Sequence, residues 1–123
     1  MKNVTVALLA ILALSGCSQR VADLTVASTK NMNLNSDGFV TGERVEGEDM
    51  VPVVLFPFGI PQVKEATDKA IENNHCAVGL TDVVVTQNNH AFLFLLGAIG
   101  FSVEGNLVID ANKPGCEQYL NKA

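Results

Sequence analysis

The chain has 123 residues, 48% of them hydrophobic, and a formal net charge of −5 at pH 7, which fits one domain and leaves no room for a second. Its basic residues are scattered singly, while Glu43, Glu46, Glu48 and Asp49 form the one charge cluster. A nucleic-acid partner is excluded, because a phosphate backbone is held through clustered Lys and Arg, and polybasic adhesion to a membrane falls by the same argument.

The first segment carries a positive Lys2 and then an apolar run from Val4 to Leu14, broken only by Thr5. A run of that length suits the apolar region of an export signal, whereas a membrane-spanning helix needs about 20 residues. At its end, Leu14-Ser15-Gly16-Cys17 resembles the lipobox of bacterial lipoproteins: an aliphatic residue, two small residues and a cysteine. The resemblance implies that diacylglycerol is attached to the Cys17 thiol, that the bond after Gly16 is cut, and that the new amino group is acylated, commonly by palmitate-type chains. The expected division is a signal peptide over 1–16, a lipidated tether over 17–23 and a single periplasmic domain over 24–123. Loss of Lys2 with the signal leaves seven basic residues against thirteen acids, a formal charge of −6. One acyl chain holds a protein marginally and more than one makes anchoring stable, each buried methylene contributing about 0.8 kcal/mol. Ser18 stands where, by the same resemblance, an aspartate would retain the protein at the inner membrane, so the outer membrane is expected. A host without an outer membrane would instead carry the domain on its cell membrane.

After the tether, Ala22 to Ser28 alternates in part, and Leu24, Thr25 and Val26 favour a strand. The Asn-rich stretch from Lys30 to Gly38 ends in Asp-Gly, a turn signal that predicts a hairpin into a second strand at Phe39-Val40-Thr41. The acidic segment Gly42 to Asp49 has little to bury and is expected as a solvated loop. Pro52 and Pro57 interrupt the apolar run Val51 to Phe58, leaving a short strand at Val53–Phe56, since proline donates no ladder hydrogen bond.

From Pro61 to Asn73 the period changes. Val63, Ala66, Ala70 and Ile71 recur at helical spacing with Gln62, Lys64, Glu65, Asp68, Lys69 and Glu72 opposite, and Pro61 suits a first helical turn. The β-branched stretch Ala77 to Gln87 predicts a central strand, and Asn88-Asn89-His90 a polar break. The run Ala91 to Phe101 is expected as a bent core strand, Gly97 and Gly100 permitting the bend, with contact to lipid or to an envelope protein as the other reading. From Phe101 to Ile109 one face carries Phe101, Val103, Leu107 and Ile109, the pattern of a half-buried strand. The expected class is therefore α+β, a small antiparallel sheet with one amphipathic helix packed on a face.

With Cys17 used for lipid, Cys76 and Cys116 remain as a pair. The bacterial periplasm is oxidising, so a disulfide is expected, closing a loop of about 40 residues and contributing on the order of 3–4 kcal/mol in the chain-entropy model. His75 and His90 are the two histidines, and neither has the paired ligand spacing of a zinc site. A thiolate nucleophile at Cys76 would be blocked by oxidation. The acids of Gly42 to Asp49 lack the alternation of a calcium loop, and the glycine turns lack the Lys and Ser/Thr of a phosphate cradle. No catalytic residue, metal or cofactor is expected.

The stretch from Val53 to Ile109 is similar in layout to small bacterial lipoproteins of the Bor-like and TRL-like kinds. Phe58-Gly59-Ile60-Pro61-Gln62 leads from a strand through a turn into an amphipathic helix, and Leu95-Leu96-Gly97-Ala98-Ile99-Gly100 corresponds to a Gly-rich apolar insert before a closing strand. The resemblance covers about half of the chain, transfers no catalytic residue, and implies a non-enzymatic envelope lipoprotein. The expected function is thus a lipid-anchored module with a membrane and an envelope protein as partners. The alternative is a small-ligand binder or enzyme, which calls for an apolar cavity between helix and sheet with polar groups converging inside it.

Overall fold

The computed structural model describes residues 1–13, 17–93 and 96–122. An antiparallel sheet of four long strands carries helix α2 on one face, so the chain is α+β. The elements in chain order are α1 (Lys2–Ala13), β1 (Cys17–Ala27), β2 (Phe39–Val54), the two-residue β3 (Phe56–Pro57), α2 (Val63–Ile71), β4 (Ala77–Leu93), β5 (Leu96–Asp110) and a 3-10 turn (Glu117–Lys122). The sheet order is β1-β4-β5-β2-β3, with β4 and β5 at its centre. Leu14, Ser15 and Gly16 of the lipobox lie outside the described residues, as do Phe94 and Leu95 of the apolar run.

Helix α2 forms where its spacing predicts. Ala66, Thr67, Ala70 and Ile71 are buried, and Lys64, Lys69 and Glu72 face water. Its buried face meets Val103, Leu107 and Ile109 of β5 and Leu80, Val83 and Val85 of β4, all at most 4% exposed. Leu80 and Val83 share a face although three residues apart, because the register shifts between Thr81 and Val84, where Asp82 takes φ 51. A bulge turns the run of valines so that alternate ones still reach the core.

Several sequence expectations are corrected. Residues 17–23, expected as a tether, belong to β1, and Cys17 itself is paired with Asn89. The Asn-rich turn makes no hairpin, since β1 pairs with β4 and β2 with β5. Residues 28–38 instead cross from one side of the sheet to the other. Ser28 bonds the Val78 carbonyl, Lys30 pairs with Asp68 and Glu72 of α2, and Ser36 donates to Asp110 at the end of β5. Local turn propensity is spent on a crossover because these contacts lie far away in sequence.

The acidic segment is not a loop but the middle of β2, with Glu46 paired to Glu104 and Glu48 to Ser102. Val45, Gly47 and Asp49 point inward and Glu46 and Glu48 outward, so the period of two is present with Val45 the one apolar side chain that these three bring to the core. Gly47 is the reason the helix fits there: a Cβ on it would lie 2.1 Å from the Ala66 carbonyl oxygen and 2.4 Å from the Ala70 nitrogen. Pro52 lies within β2 opposite Ala98, on the side flanked only by the two-residue β3, where a missing donor is tolerated. Asn88-Asn89-His90 is no break, since β4 continues through it opposite Ala98, Ile99 and Gly100. Nor is the apolar run one bent core strand. It is divided between the end of β4 and the start of β5, and the exposed Ala91 and Leu96 lie beyond the core.

Candidate functional site

Cys17 opens β1 as an exposed thiol, at the first paired position of the strand. Two hydrogen bonds beside it fix that end of β1. The Ser18 hydroxyl donates to Asn88 Oδ1 at 3.0 Å, and Asn88 Nδ2 donates to the buried Ser102 hydroxyl at 3.2 Å. The polar residues that suggested a break therefore form a ladder across three strands, holding the cysteine in register with the sheet centre.

Around Cys17 the sheet end is apolar apart from the exposed Asn89 and His90. Rows run Cys17–Asn89–Ile99–Val51, and beyond this row β4 and β5 continue to Leu93 and Leu96 while β2 continues to Val54. Leu55 turns the chain with φ 63 into β3, and the Phe58 N–H bonds back to the Pro52 carbonyl at 3.1 Å. Phe56 is 75% exposed, Phe58 70% and Ile60 83%. No Asp, Glu, Lys or Arg occurs from Met50 to Val63 or from Gln87 to Val103. Sequence reasoning assigned weight to Ala91–Phe101 but missed Val54 to Ile60. The signal was present in that charge-free stretch, whose prolines keep it from being a buried strand.

At the opposite end Cys76 and Cys116 are joined by a disulfide, with Cα atoms 5.8 Å apart and both residues fully buried. His75 Nε2 lies 3.4 Å from Cys76 Sγ, so one nitrogen and two sulfurs converge. The sulfurs are bonded to each other and supply no thiolate, which removes the ligands a metal would need. His90 sits exposed at the far end of β4 and does not join this group.

The acids that form a cluster in sequence are drawn out along β2. Asp49 accepts the Gln62 N–H at 2.8 Å, just before the start of α2, and pairs with Lys69 at 3.5 Å. It thereby serves the helix N-terminus in place of Gln62, whose own side chain makes no cap. Asp68 carries a carboxyl whose proton affinity departs from its ordinary value. The Thr29 hydroxyl and then the Lys30 ammonium hold it below the usual carboxylate value, and Glu72 and Asp68 in turn raise Lys30. This group ties the crossover to α2, and Lys30 and Glu72 also line a depression of about 350 Å³ with Asn31, Asn74, His75 and Lys113.

No family model, curated protein or solved structure matches the chain.

A depression of about 470 Å³ beside β1 and β4 is lined by Arg20, Asp23, Leu24 and Asp82. Arg20 and Asp23 are spent on each other at 2.6 Å in the open. Where α2 crosses Gly47, helix and sheet touch backbone to backbone, so that part of the seam has no space for a ligand. Among the described residues no buried side-chain polar atom lacks a partner. No helix of the described residues is long and apolar enough to cross a membrane.

Proposed function

We propose that the protein is a lipid-anchored, non-enzymatic lipoprotein of the cell envelope, processed after Gly16 and acylated on Cys17, acting at the outer membrane as an interaction or structural module. The observation that carries this reading is the position of Cys17, exposed at the first residue of the sheet and flanked by an uncharged, apolar end. An acyl group there needs no rearrangement of the fold, and the thiol is not shared with the Cys76–Cys116 pair. The likeness in layout to Bor-like and TRL-like lipoproteins points the same way, and so does the Leu14-Ser15-Gly16-Cys17 motif. Ser18, in the place of a retaining aspartate, supports the outer membrane.

The test is incorporation of labelled palmitate by cells expressing the full chain. Label should enter the native protein and be lost in Cys17→Ser, which should also keep its leader. Labelling that persists in Cys17→Ser, or mature native protein with an unmodified residue 17, refutes the reading.

A further inference from the structure

We infer that the end of the sheet around Cys17 is itself a membrane-contact surface: the β4–β5 end and the segment Val54–Ile60 enter the bilayer interface beside the acyl chains. This rests on the proposed acylation of Cys17 and deepens it. Cys17 is already paired with Asn89, so no length of free chain separates the acylated residue from the folded body. An acylated cysteine lies at the interface by necessity, and the strand row containing it must lie there too.

Direction settles what lies deeper. β1 runs away from this end, so the sheet extends past Cys17 on the side from which the chain arrives. From Asn89 to Leu93 β4 advances four residues, about 13 Å at about 3.3 Å per residue. The headgroup layer on each side of a bilayer is about 5–8 Å thick. Even a tilted sheet therefore carries its end through the headgroups to the acyl boundary.

The side chains there suit that position. Leu55, Phe56, Phe58 and Ile60 are each more than 60% exposed, and none has an apolar partner that hides it from water. A contiguous apolar patch on a small soluble domain signals contact with lipid or protein. Charge decides for lipid. The mature chain has an excess of acids and an anionic leaflet would repel it, yet its end near Cys17 holds no formal charge, the nearest acids being Asp49 and Glu48. The acids are thus kept about as far back as the rows Gln87–Phe101 and Thr86–Ser102.

The chain contains no tryptophan, so one can be placed as a depth probe. The full chain is expressed, and its lipidated product is reconstituted in vesicles of phosphatidylethanolamine with a minor share of phosphatidylglycerol, with or without bromine on the acyl chains. Phe56→Trp should show blue-shifted emission and lose most of it to the brominated lipid. Leu34→Trp, 81% exposed in the crossover at the other end, should keep an emission typical of water and be unaffected. Equal response of the two variants overturns the inference. So does a blue shift at Phe56→Trp without bromolipid quenching, which would put that residue against protein. Mass of the purified product separates the two proposals: a lipidated protein with no quenching leaves the anchor standing and removes the contact surface, whereas a product without lipid removes both.

Discussion

At Gly47 a single hydrogen atom decides whether the helix can lie on the sheet. Any Cβ there meets the backbone of α2 at Ala66 and Ala70, and backbone cannot rotate aside as a side chain does. Gly47→Ala should therefore lower the unfolding free energy by about 3 kcal/mol, the upper part of the range for overpacking, measured from the denaturant midpoint. Gly115 provides the contrast. It has open space around it but a φ of 83, so Gly115→Ala should cost only about 1 kcal/mol, through backbone conformation alone. In the sequence Gly47 stands among acids and suggests a loop. Its meaning depends on a helix that begins at Val63, and nothing local reveals that.

Elements differ in how far their causes lie along the chain. Helix α2 is legible because its apolar stripe and polar face are written within a dozen residues, although Pro61, expected in the first helical turn, lies before the N-cap Gln62, and the strand face Val103, Leu107 and Ile109 is legible by its period of two. The crossover is not, because its turn residues are equally suited to a hairpin and the deciding contacts lie on α2 and at Asp110. Those contacts give it a pH signature. Asp68 is held below its ordinary value of 3.8, so its contribution is present above that pH and lost as pH falls through the lower folded value. Lys30 is raised above 10.5, so its contribution is present below that pH and lost as pH rises through the higher folded value. Asp68→Asn should lower the melting temperature by a steady amount from about pH 5 to about pH 9, and the gap to the native protein should narrow beyond either limit. A gap that is the same at pH about 2 as at pH about 7 would show that the carboxylate is not the source.

The whole molecule has two unlike ends, and its stability should follow the same axis. Among the described residues, every buried hydrophobic residue of β4 and β5 lies between the rows Ala77–Ile109 and Val85–Val103, under α2 and toward the disulfide. Beyond Gln87–Phe101, the described residues contribute no fully buried apolar side chain, so the strands there are held by ladder hydrogen bonds and by Ser18, Asn88 and Ser102. Ladder bonds exposed to water open with little loss, whereas opening the rows under α2 uncovers Leu80, Val83, Val103 and Leu107 together. Amides of Leu80, Val83, Val103 and Leu107 should exchange with solvent at least about a hundredfold more slowly than those of Ala91, Gly97 and Ala98 in detergent-free buffer. The disulfide supplies a second handle on the same gradient. It ties the 3-10 turn at the C-terminus to the end of the core, and replacing both Cys76 and Cys116 with serine should reduce global stability by about 3–4 kcal/mol. Protection at Leu80, Val83, Val103 and Leu107 should fall by that same amount, because those amides exchange only when the whole domain unfolds, while Ala91, Gly97 and Ala98 should be unchanged because they already open locally. Equal loss at both ends would mean that the domain opens as one unit, and that the apolar end is held by packing as strong as the core beneath the helix.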